Sequence, residues 1–193
     1  IVSGTGTLTK EGAGNLTLTA NQTYTGATTI SEGQLVLSNN APTKGTSSFA
    51  GPGQLVIQSS GDDFAADFST SGWAFDSTLG GLTIGKSTSS ADGTADKNVT
   101  LNGAINIAGP VKLYAGNVAV NAALTASSVT LKGSGAVSQT GAITANDLLL
   151  LGGNVTLDHA SNNVSTLAAS GVGSVKYWDS NSLAIGTVSG TDG

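Results

Sequence analysis

The chain has 193 residues, a net charge of −5, no Cys and no Met, and its seven cations are all Lys. An acidic surface without Arg repels phosphate backbones and lacks their usual reader, which argues against nucleic-acid binding. Only 10% of residues are charged, against about 25% in an ordinary soluble domain, so Thr, Ser, Asn and Gly must keep the surface wet. The absence of thiols suits a chain that crosses an oxidising compartment. Residue 1 is Ile rather than Met, so the chain is expected to be a mature or trimmed segment of something larger. It contains no signal peptide and no apolar run of membrane-spanning length; the longest, Leu148–Leu151, is strand-sized.

In chain order, the first elements repeat one phrase three times: GNLTLT at Gly14–Thr19, GQLVLS at Gly33–Ser38 and GQLVIQ at Gly53–Gln58. Each holds an apolar–x–apolar triplet: Leu16-Thr17-Leu18, Leu35-Val36-Leu37, Leu55-Val56-Ile57. Alternation of this kind is the strand period, and the triplets are too short for helices. The rhythm breaks over Ser59–Leu79, which holds Phe64, Phe68, Trp73 and Phe75 together with Asp62, Asp63 and Asp67. It resumes at Leu82-Thr83-Ile84, Val99-Thr100-Leu101, Ile105-Asn106-Ile107, Val111-Lys112-Leu113, Val118-Ala119-Val120, Val129-Thr130-Leu131 and Val155-Thr156-Leu157. Gly and Asn punctuate the turns between them.

The spacing says how the triplets stack. Val99, Val118, Val137 and Val155 form one series, Ile105, Leu124, Ile143, Val164 and Leu183 a second, and Leu113, Leu131 and Leu150 a third, each with steps close to 19 residues. Three short strands per step describe an all-β parallel β-helix, a three-sided solenoid with coils of about 19–20 residues. One coil cannot bury its inward stripes alone. Laying the next coil on it pairs the strands at roughly 4.8 Å and continues the apolar stack. Ten or so coils would make a rod on the order of 50 Å long. Outward positions are expected to carry Thr, Lys, Asn and Gln. The competing reading is an antiparallel sandwich with hairpin signals such as Asn102-Gly103, but sandwiches rarely hold so fixed a period.

Residues 11–38 closely resemble the autotransporter-associated β-strand repeat, with its phrase G-x-G-x-L-x-L, N-x-Y-T-G, T-x-I and G-x-L. The matching positions are Gly12, Gly14, Leu16, Leu18, Asn21, Tyr24, Thr25, Gly26, Thr29, Ile30, Gly33 and Leu35. From Gly80 onward the rhythm resembles large bacterial exoproteins related to filamentous haemagglutinin, as does the closing SLAIGTVSG. These resemblances imply a right-handed parallel β-helix, secreted by a type V route in one-partner or two-partner form, with an outer-membrane secretion partner. They imply an extracellular or outer-membrane-associated place and a role in cell adhesion, aggregation or biofilm formation. The chain then reads as one β-helical passenger segment: autotransporter-type coils over 1–58, an aromatic and acidic insertion over 59–79, haemagglutinin-like coils over 80–193.

Chemistry-bearing motifs are few. Gly80–Ser87 satisfies the P-loop pattern G-x-x-x-x-G-K-[ST]. A P-loop needs a helix N-terminus after it, and Leu82-Thr83-Ile84 is strand-like inside the would-be loop, so nucleotide binding is not expected. His159 is the only His, which removes multi-His metal sites, and Asp158-His159 reads as a solvated turn. Asp62, Asp63 and Asp67 could pair as catalytic carboxylates or hold calcium, but no calcium-loop motif accompanies them. The chain is therefore read as having no catalytic residues, no metal site, no cofactor and no enzymatic activity, with a β-helix polysaccharide-degrading enzyme as the weakest reading. Sequons at Asn15, Asn21, Asn98, Asn154 and Asn163 are what a chain rich in Asn and Thr produces by chance.

The main expectation is a structural stalk of a surface adhesin. The alternative is a binding module for a host or bacterial surface glycan or exopolysaccharide, or for a second copy of itself. Its candidate contacts are Asp62, Asp63, Phe64, Asp67, Phe68, Trp73 and Phe75. Against that stands the plainer reading of these aromatics as a hydrophobic plug inside a widened coil. Tyr177-Trp178 is expected to pack near the C-terminal end.

Overall fold

The computed structural model describes residues 1–43, 48–87 and 97–192. Its regular elements are all β-strands, and every strand pairing is parallel. Among the described residues the one antiparallel contact is an isolated bridge, Val188 with Thr191. The strands stack as a β-solenoid of about nine turns. Asn102-Gly103 closes no hairpin; both N–H groups donate to Thr70 Oγ1 in the coil before.

The longest sheet carries the main ladder. Leu16, Leu35, Leu55, Leu82, Val111, Val129, Leu148, Leu167 and Ile185 follow one another in register. Two residues on, Leu18, Leu37, Ile57, Ile84, Leu113, Leu131, Leu150 and Ala169 form a parallel column. The middle of both columns is sealed from solvent, while Ile185 at the last level is 61% exposed. On another side Phe68, Val99, Val118, Val137, Val155 and Val175 stack in the same way. Like side chains therefore meet like side chains, and one continuous core runs through the coils. The corners before the second and third ladder phrases are tight. Gly33 turns the former with φ +62°, and a Cβ there would lie 2.5 Å from the carbonyl oxygen of Gly14 one coil below. Only glycine meets both conditions.

Three details depart from the simple three-sided pattern. First, Val164 stacks on Ala145, not on Ile143. Asn162 occupies the level of Ile143 and accepts its N–H through Oδ1 at 2.9 Å. Second, two sides of the coil merge at Ile143–Leu151 into one strand of nine residues. In the two preceding coils the same corner is broken, between Ile105–Asn106 and Val111–Ala115 and between Leu124–Thr125 and Ser128–Gly133. Third, Lys10 points inward rather than outward, level with Ile30. It is buried, and its ammonium donates to the carbonyls of Glu11, Gly12 and Glu32, which is how a buried cation is made tolerable.

A second, smaller core lies outside the solenoid. Leu149 and Ala168 face outward from the main sheet yet are buried, because the C-terminal segment folds back and sets Val188 against them. The turn at Ser189 and Gly190, both at positive φ, reverses the chain and pairs Val188 with Thr191.

Candidate functional site

The Ser59–Leu79 segment stays on the ladder while lengthening its coil. Phe68-Ser69 pairs with Val99-Thr100, and Ala74-Phe75 pairs with Ser48-Phe49. Between them the chain turns through Gly72 at φ +73°. This places the aromatics on the two walls of one corner.

The rings form a chain. Phe64 stacks on Phe68 at 5.2 Å between centroids, Phe68 meets Trp73 at 5.4 Å, and Trp73 stacks on Phe49 at 5.9 Å. Phe75 lies 6.3 Å from both Phe49 and Trp73. Phe49, Phe64 and Phe68 are buried, while Trp73 and Phe75 pack on the core and remain partly exposed. The widened coil would be hollow without them. Phe49 is an aromatic that the sequence pattern does not single out; its pairing with Phe75 makes it the floor of the cluster.

The carboxylates take different places. Asp63 accepts the N–H of Phe64 at 2.7 Å and that of Lys97 in the next coil. Asp67 accepts the N–H of Asn98 at 2.9 Å and its side-chain amide at 3.0 Å. These bonds hold the Asp67 carboxyl below the usual carboxylate range, the Asn98 backbone N–H contributing most and the Asn98 amide next. Asp62 is exposed. Among the described residues no group of three His, Cys, Asp or Glu side chains is placed to hold a metal ion.

A groove of about 300 Å³ opens beside the rings, bounded by Asn40, Thr43, Phe64, Asp67, Phe68 and Trp73 among others. Its geometry combines ring surfaces, a carboxylate, hydroxyls and an amide. The structure thus brings Phe64, Asp67, Phe68 and Trp73 to one cleft and leaves Asp62, Asp63 and Phe75 outside its lining.

The other motifs resolve structurally. Gly81–Ile84 is a central strand of the longest sheet, with Leu82 and Ile84 buried, so the P-loop pattern forms no phosphate loop. Residues 88–96, which follow it, lie outside the described residues. His159 sits in a turn, where Nδ1 accepts the backbone N–H of Ser161 and its carbonyl accepts that of Asn162. Tyr177 packs on the core and its hydroxyl donates to Asp179; burial foremost, then that bond and charge, raise its pKa above the ordinary tyrosine value. Trp178 does not pack as expected: it is 60% exposed, and what it offers the core is its backbone carbonyl, which accepts the Asn162 side-chain amide. Of the sequons, Asn98 is committed on both sides, to Asp67 below and Asn117 above.

Residues 8–37 match the model of one family, the passenger-associated-transport-repeat. The match fits an autotransporter passenger repeat. The matched segment runs from strand Leu8–Lys10 through Asn15–Leu18 and Thr28–Ile30 into Gln34–Ser38, so it ends within the second copy of the ladder phrase. No curated protein and no solved structure matches the chain. The family is a structural passenger repeat rather than an enzyme family. A passenger repeat in a parallel β-solenoid fits the stalk of a secreted autotransporter passenger, at the cell surface or beyond it.

Proposed function

We propose that the chain is a non-enzymatic stalk segment of a bacterial surface adhesin, serving cell adhesion, aggregation or biofilm formation. The observation that carries this is the unbroken register of the main ladder from Leu16 to Ile185. A stack in which each coil contacts only its neighbours can be lengthened by repetition, resists extension through its hydrogen-bonded sheets, and can fold coil by coil as it emerges. Export would run through an outer-membrane secretion partner, and the coils from Gly80 on are read as haemagglutinin-like. The test displays the chain on bacterial cells as part of its exported polypeptide and removes one whole coil in register, residues 118–136. Cells carrying the shortened stalk should aggregate as the parent cells do. Loss of aggregation by a folded, displayed variant would give that coil a role beyond spacing and overturn the reading.

A second reading is favoured by the groove at the widened coil. Phe68 and Trp73 offer apolar ring surface, and Asp67, Thr43 and Asn40 offer hydrogen-bonding groups, the combination by which sugars are held. On this reading the stalk also binds a surface glycan or exopolysaccharide. Trp73→Ala and Asp67→Ala, which remove a ring and a carboxylate from the lining, should abolish retention on a glycan array. Unchanged binding by the folded variants would count against it.

A further inference from the structure

On the outward face of the main sheet, the column that begins Ser38, Gln58 continues through Gly85 to Tyr114 and Lys132. Gly85 has φ +85°, and a Cβ there would lie 2.0 Å from the carbonyl oxygen of Tyr114. No side chain can occupy this level, so the column is interrupted. The neighbours stand around the gap: Gln58 below, Tyr114 above, and Thr83 and Lys112 on the adjacent column. Lys86 and Ser87 close the rim as the chain leaves the strand. The result is an open hollow of about 500 Å³.

Its charge is opposite to that of the molecule. The whole chain holds 12 carboxylates against seven lysines, yet among the described residues the lining contains Lys86 and Lys112 and no carboxylate. Lys132 stands beside it and fixes the rim by donating to the Ser87 carbonyl at 2.5 Å. Lys86 donates to the carbonyl of Gly61. The exposed Lys112 ammonium has no hydrogen-bond or ion-pair partner among the described residues, whereas Lys176 is paired with Asp158 at 2.5 Å. Beside the cations stand a half-buried tyrosine ring, an amide and two hydroxyls.

We propose that this hollow binds an anionic saccharide, with Lys112 and Lys86 meeting its acid group, Tyr114 lying against the sugar ring, and Gln58, Thr83 and Ser87 serving its hydroxyls. Ammonium groups recognise carboxylate and sulfate alike, and a ring face beside hydrogen-bonding side chains suits a pyranose. The nucleotide alternative lacks the helix N-terminus that would cradle its phosphates. The site lies apart from the aromatic groove and stands or falls independently of it.

The test titrates the full chain with a galacturonate trisaccharide, with the same trisaccharide as its neutral methyl ester, and with a sulfated disaccharide. The carboxylated or the sulfated sugar, or both, should bind, and the ester should not; which of the two binds identifies the acid group. Lys112→Gln should weaken binding by about tenfold or more, the loss of one charge-assisted hydrogen bond. Tyr114→Ala should also weaken it, with an unchanged melting temperature in both variants. Lys176→Gln, which removes the same charge elsewhere, should leave affinity unchanged. Absence of binding by either acidic sugar, equal binding of the ester, or an equal effect of Lys176→Gln and Lys112→Gln would overturn the proposal.

Discussion

Asp67 joins two coils through one carboxylate. It accepts both the backbone N–H and the side-chain amide of Asn98, and both bonds favour its charged form. A carboxyl depressed in the folded chain contributes stability that is fully present above the unfolded value of about 3.9 and is lost as pH falls through the lower folded value. Asp67→Asn should therefore flatten the acid limb of the stability–pH curve by lowering stability at neutral pH, while matching the parent below the folded value, where Asp67 is itself protonated. An acid limb as steep as the parent's would show that the bond to Asn98 is not formed in solution. Leu113 represents the opposite kind of residue. It is fully buried between Ile84 and Leu131, and Leu113→Ala should cost about 2–5 kcal/mol in urea unfolding, since the ladder cannot collapse around the missing methyls. Asn162 is as deeply buried but polar. Its amide meets Gln139, the Ile143 N–H and the carbonyls of Leu157 and Trp178, so it acts as a corner bolt where an apolar residue would leave those groups unpaired.

At the scale of elements, legibility depended on whether periodicity alone decides the outcome. The Val99–Val155 series and the Leu113–Leu150 series could be read from spacing because stacking places identical levels one coil apart. Lys10 and Asn162 could not, since a polar residue at an inward level looks like an outward one until its carbonyl partners are known. The shift of Val164 onto Ala145 follows from the Asn162 corner and was hidden for the same reason. The aromatic segment was visible as a cluster, but whether its rings fill the coil or face solvent depends on the width of that coil. The answer is divided: Phe64 and Phe68 fill it, and Trp73 keeps an accessible side. The outer patch was least legible. Leu148–Leu151 reads as one apolar run, and only the returning C-terminal turn explains why Leu149 is covered on the outside. That turn makes its own prediction. Val188→Ala should remove about 1–2 kcal/mol of local stability, seen as faster hydrogen exchange in the strand Asn163–Ser170, with the strand Val99–Leu101 unchanged. Uniform loss across both strands would mean that the patch is part of the global core.

Over the whole molecule the ladders imply that stability is a sum of coil and neighbour terms, so what matters is whole coils, not particular sequences. The two proposed binding sites lie where the repetition fails: the widened coil at 59–79, and the level where Gly85 interrupts an outward column. Net charge is spread thinly over the remaining surface, and Asn ladders such as Asn98–Asn117 and Asn102–Asn121 replace ion pairs as the exposed rungs. A stack built this way is expected to tolerate gain or loss of whole turns, and the proposed sites are local exceptions to it. The most direct test compares two deletions by circular dichroism melting: residues 118–136, a full coil that brings Val137 to the level of Val118, and residues 118–127, a half coil that does not. The stacked register predicts a cooperative β-sheet melt close to the parent's for the full-coil deletion and loss of the cooperative melt for the half-coil one. Equal damage from both deletions would contradict it.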